Sequence, residues 1–111
     1  MIAMQVAEMI AEYVLFLSLT EEENLNLDTA VKMMEALAGH LEEMDKGFLR
    51  ELADAFPVIA ERYSGEEQEV VRDIAYSFYL EEALAADDPV RLAELEALRD
   101  ARDYGKSEIS Q

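Results

Sequence analysis

Cysteine and tryptophan are absent from this chain of 111 residues, histidine occurs once, and there are only two prolines, four glycines and nine basic residues. Each shortage removes a class of protein. Without cysteine there is no disulfide framework, no thiolate nucleophile and no Cys-ligated zinc or iron–sulfur centre, and the redox compartment is left open. With His40 as the single histidine, di-iron bundles, which take a Glu-x-x-His motif from each of two helices, and histidine-pair metal hydrolases are excluded. A signal peptide needs a basic front end, whereas the first Lys or Arg is Lys32. Nine bases against 26 acids leave a net charge of −17 and a pI near 4.1. Such a surface repels phosphate backbones and anionic headgroups, so the expectation is no nucleic-acid and no membrane partner.

What is present is apolar residue in a helical rhythm. Hydrophobic residues make up 51% of the chain, too many for a disordered acidic tail. A domain of this length buries roughly two-thirds of the surface its unfolded chain exposes, enough for a core without disulfide or metal support. The apolar positions recur at three and four, which predicts an all-α fold: a compact bundle of about five helices in one domain over residues 1–105, with 106–111 a frayed tail.

Met1 to Leu19 is largely apolar, and its Gln5, Glu8 and Glu12 share one stripe. Two carboxylates there argue against a membrane span, and the narrow stripe predicts a central, mostly buried first helix. A polar run from Thr20 to Asn26 separates it from a second helix over about Asp28 to Met44, capped by Asn26 or Asp28. Val31, Met34, Leu37, Ala38, Leu41 and Met44 form that helix's apolar face. A third series, Phe48, Leu49, Leu52, Phe56 and Ile59, contains Pro57 and is expected to kink or break beside it. Ser64 followed by Glu67 reads as a capping box opening a fourth helix to about Ala85. Asp88-Pro89 starts a fifth, which should end near Tyr104-Gly105 in a left-handed glycine turn.

No catalytic set is complete. The serines, Ser18, Ser64, Ser77, Ser107 and Ser110, lie in no strained strand-to-helix turn, and His40 suits the last carbonyls of the second helix. Glu8 with Glu12, Glu51 with Asp54, and Glu69 with Asp73 each share a helical face, as an oxygen-rich magnesium site requires. The all-helical nucleotide pyrophosphatases, however, open with two adjacent glutamates and a third three positions on. Here Glu42-Glu43 continue as Met44-Asp45-Lys46. Asn24, Asn26, Asp28 and Glu35 fall at ligand positions of an EF-hand loop, but Thr29 stands where the sharp turn needs glycine, so these residues read as helix caps. Neither metal nor cofactor is expected.

The remaining constellation joins aromatics to acids. Tyr76 and Tyr79 precede Glu81 and Glu82, with Asp87 and Asp88 beyond. Rigid aromatics ringed by carboxylates suit a cationic protein patch: charge speeds encounter and the rings supply desolvated anchors. The favoured reading is a small, cytoplasmic, non-enzymatic binding protein. It would neutralise or chaperone a basic protein through Tyr76, Tyr79, Glu81, Glu82, Asp87 and Asp88. Bacterial immunity proteins against toxins are analogous in type, although the paired tyrosines and proline-glycine-acid pattern of the nuclease-colicin immunity family are absent. Two alternatives stand beside it: a carboxylate-only magnesium hydrolase, and a self-associating helical protein, a homodimer joined through the apolar first helix.

Overall fold

Regular structure in the computed structural model, which describes residues 2–21 and 23–109 with side chains as far as Tyr104, is entirely helical. Seven helices follow in order: α1 (Ile2–Leu19), α2 (Leu27–Glu42), α3 (Lys46–Ala60), α4 (Gly65–Arg72), α5 (Ile74–Ser77), α6 (Leu80–Leu84) and α7 (Pro89–Ile109).

The core forms where α1 lies on α3. Small residues on one stripe of α1, Ala3, Ala7 and Ala11, allow close approach, and Ile10, Val14 and Leu15 fill the space between. From α3 come Leu49, Leu52, Phe56 and Ile59, all essentially inaccessible, while Val71, Ile74 and Leu80 close the cluster from α4, α5 and α6. Full burial of each large side chain contributes about 1.5–3 kcal/mol.

α1 is nonetheless one-sided. α2, α3 and α4 all pack on it, but Ile2, Met9 and Phe16 remain 70%, 69% and 56% exposed. The expected mostly buried helix is therefore corrected. α2 sends only Ala30 and Leu41 fully into the interior and leaves Val31 outside, so it does not cover the far face of α1. By length and composition alone α1 is apolar enough to cross a membrane, with a mean hydropathy of 1.6 over its 18 residues. Here its buried stripe makes core.

Capping explains the element starts. Asn26 Oδ1 accepts the Thr29 N–H at 3.2 Å to open α2, and Asp45 Oδ2 accepts the Phe48 N–H at 3.0 Å to open α3. Asp88 Oδ1 accepts the Arg91 N–H at 3.0 Å, with Pro89 as the first residue of α7. Ser64 precedes α4 as expected, but its side chain makes no capping bond; Gly65, at φ +59°, turns the chain instead.

Three expectations about continuity change. α3 runs through Pro57 without interruption. The lost bond falls in the last turn, and Phe56, Ile59 and Ala60, all buried, anchor that turn to the core. The expected fourth helix is instead three, α4, α5 and α6, interrupted at Asp73 and at Phe78–Tyr79, which raises the count from about five helices to seven. Tyr79 adopts a left-handed backbone (φ 56°, ψ 38°), a conformation that ends a helix. Finally, α7 continues through Gly105 to Ile109, because a helical glycine costs only about 1 kcal/mol. Residues 110–111 of the expected tail lie outside the described residues.

α7 rests chiefly on α6, and Leu95 is its one buried side chain among the described residues. The radius of gyration, 14.8 Å, exceeds the roughly 13 Å typical of a compact chain of this length, in keeping with a helix laid along one edge.

Candidate binding surface

Tyr76 ends up on α5 and Tyr79 on the left-handed corner before α6, and both rings meet Arg99 of α7. The Arg99 guanidinium carbon is 3.9 Å from the Tyr76 centroid and 3.8 Å from that of Tyr79. Its Nε and Nη2 donate to Glu82 Oε2 at 3.0 and 2.9 Å, and Nη2 also donates to the Tyr76 carbonyl at 3.0 Å. Arg102, three residues on, stacks on Tyr76 at 3.8 Å and pairs with Asp73 at 2.8 Å. The Tyr76 hydroxyl donates to Asp103 at 3.3 Å. Burial disfavours the Arg99 charge, but the Glu82 hydrogen bond and nearby charges outweigh it and hold the guanidinium above its ordinary pKa.

The other predicted residues are engaged separately. Glu81 takes both arms of Arg50, one at 2.7 Å, and Arg50 reaches Asp54 at 2.7 Å as well. The Arg50 hydrogen bond holds the Glu81 carboxyl below the usual carboxylate range, and the same contact raises the guanidinium. Asp87 meets Lys46 at 3.5 Å in the open, a pair of the kind worth little. Asp88 caps α7. The six residues thus do not form one open patch. Tyr76, Tyr79 and Glu82 build a cage around a guanidinium, and the cation in it is the chain's own.

The arginines were the missed partners. No local spacing ties Arg99 to Tyr76, so only their i, i+3 repetition in Arg99 and Arg102, within a strongly acidic chain, marked α7 as a source of cations.

Acids with a different surrounding line a groove of about 460 Å³ between α1, α2 and α4–α5. Its floor includes Val14, Met34, Val70, Ile74 and Phe78, and Glu66 and Glu69 of α4 stand along it with Asp73 at the corner before α5. The signal was in the sequence: Glu66, Glu69 and Asp73 share a helical face, with Val70 and Ile74 each one position on. Outside the groove lining, burial first and then the charges of Glu12, Glu8 and Glu67 hold the Tyr63 phenol above its ordinary pKa. A smaller apolar cleft of about 340 Å³ lies between α1 and α2, lined by Met9, Ile10, Tyr13, Ala36, Leu37 and His40.

Among the described residues, no group of three or more His, Asp or Glu is placed to hold a metal ion. One member of each carboxylate pair is held in an ion pair: Glu8 with Arg62, Asp54 with Arg50 and Asp73 with Arg102. Asn26 of the EF-hand-like spacing serves as the α2 cap. Comparison with known proteins finds no family model that matches this chain, and no curated protein or solved structure that is significantly similar to it.

Proposed function

We propose that this is a non-enzymatic cytoplasmic binding protein that neutralises or chaperones a cationic protein partner, in the manner of an immunity-type inhibitor of a bacterial toxin. The observation that carries the reading is the groove between α1, α2 and α4–α5, which joins an apolar floor to the carboxylates of Glu66, Glu69 and Asp73. Among the described residues, no base is in salt-bridge contact with Glu66 or Glu69. A basic amphipathic segment complements that surface: its apolar side chains desolvate against Val14, Val70 and Phe78 while its Lys and Arg heads meet the rim. The net charge of −17 steers such a partner in and suppresses anionic competitors.

Self-association is supported by a separate observation. Ile2, Met9 and Phe16, spaced by seven, form an exposed apolar stripe on α1, the kind of face a second copy covers.

The groove reading is tested by capturing partners on tagged protein at low and high salt, using wild type and Glu66→Lys/Glu69→Lys. Wild type is expected to retain a defined basic protein at low salt that the variant releases. The same proteins held equally by both would remove the groove from the function.

A further inference from the structure

We propose that the Tyr76–Tyr79–Glu82 cage is a receiving site for an arginine of the cationic partner, and that α7 is a releasable strap whose Arg99 fills the site until the partner arrives. The inference rests on the binding function proposed above and gives that function a second contact and a switch.

The cage is selective for a guanidinium. Two aromatic faces lie within 4 Å of the Arg99 carbon, one carboxylate oxygen receives two of its N–H groups, and a backbone carbonyl receives another. A lysine ammonium cannot present a flat face to the rings and a fork to the carboxylate at once. Tyr79 reaches its ring position from a left-handed backbone, a conformation unfavourable for a bulky residue that persists only where the surroundings over-determine it. An aromatic held there at a cost is more than a filler of space.

The strap is lightly attached apart from its arginines. Among the described residues of α7 only Leu95 is buried, while Val90, Leu98 and Tyr104 are exposed, and an open cleft of about 380 Å³ runs along its inner side, lined by Tyr76, Glu82, Leu95 and Leu98. Elements with few buried apolar contacts open first. Release is coupled to the groove through Asp73, which stands on the groove rim and also pairs with Arg102. A partner cation that takes Asp73 frees Arg102, and one of the two stacked arginines lets go. Because Arg99 is tethered, it competes at an effective concentration of order millimolar. An arginine ligand therefore displaces it only with help from a second contact, which the groove supplies.

The test uses the full chain and two short amphipathic peptides, one alternating arginine with leucine and its lysine counterpart, titrated at physiological salt. Arg99→Gln empties the cage and is expected to bind the arginine peptide about tenfold more tightly than wild type, with a much smaller gain for the lysine peptide. Adding Glu82→Gln should abolish the gain. Hydrogen exchange should quicken across α7 in Arg99→Gln, and binding of the arginine peptide to wild type should quicken it likewise. Should Arg99→Gln fold poorly, Arg99→Lys keeps the charge, removes the fork and is read in the same way. Equal affinity of wild type and variant for the arginine peptide, or a gain shared in full by the lysine peptide, overturns the cage. If that result comes with binding that Glu66→Lys/Glu69→Lys abolishes, the groove stands and only the cage falls. Failure of every form to bind either peptide overturns both.

Discussion

Glu81 and Glu82 are adjacent in the chain yet face different arginines, Arg50 across from α3 and Arg99 from α7. Charge reversal of exposed carboxylates ordinarily leaves stability within about 0.5 kcal/mol. Glu82→Lys removes the carboxylate partner of the largely buried Arg99 and is expected to cost about 1.5–3 kcal/mol. After Glu81→Lys the half-exposed Arg50 keeps Asp54, and the cost should be about 0.5–1.5 kcal/mol, each read as a lowered urea midpoint at unchanged slope. The two should differ in character: Glu82→Lys loosens α7, whereas Glu81→Lys weakens the tie between α3 and α6. Sequence reasoning found the right residue types for gripping a cation but not whose cation they hold. The pairing of Arg99 with Tyr76 is a tertiary fact with no local spacing behind it. By contrast, burial of Ile10, at 7% exposure, follows from helical period alone. Ile10→Asp is expected to unfold the domain by placing an unpaired charge in the core, seen as loss of the far-ultraviolet helical signal.

Elements were legible where side chains cap them and illegible where packing decides. Asn26 and Asp88 announced α2 and α7 because a short polar side chain bonding an amide three residues on is a local event. Pro57 announced a kink or a break, and the helix is not interrupted there but continues to Ala60 with Phe56 and Ile59 buried. The interruption at Tyr79 carried no glycine or proline to mark it, since the ring's seat against Arg99 lies on another helix. The exposed face of α1 was hidden for the same reason: periodicity shows that a helix is apolar on most sides, not how many neighbours come to cover it. These distinctions set two substitutions apart. Gly39 lies in α2 with open space where a Cβ would stand, so Gly39→Ala should stabilise by about 0.5–1 kcal/mol. Pro57→Ala restores an N–H to the last turn of α3 but frees the unfolded chain, and a gain of about 1–2 kcal/mol is expected. Urea unfolding measures both, and a loss at position 57 would show that the ring itself packs.

At the scale of the whole molecule the surplus of acid acts on fold and function in opposite directions. The described ion pairs engage seven carboxylates of the 26 acids in the chain, and the excess repels itself across a surface only 44 × 42 × 28 Å in extent. Salt screens such distant charges, the Debye length falling from about 10 Å at 0.1 M to about 3 Å at 1 M, but hardly touches partly buried pairs in direct contact such as Arg99–Glu82. Thermal stability at neutral pH should therefore rise with sodium chloride. Acid works on the same balance. Protonating surface carboxylates first relieves repulsion. The Glu81 carboxyl, held low by Arg50, contributes stability above its unfolded value of about 4.3, and this is lost as the pH falls through its folded value. Stability should accordingly pass through a maximum on the acidic side of neutrality before collapsing. Attraction to the cationic partner proposed above is expected to weaken along the same salt axis that strengthens the fold. Measured on one sample series, melting temperature and partner affinity should then slope in opposite directions with salt. A melting temperature that falls as salt is added would mean that short-range ion pairs, not long-range repulsion, dominate the electrostatics, and the steering ascribed to the net charge would lose its basis.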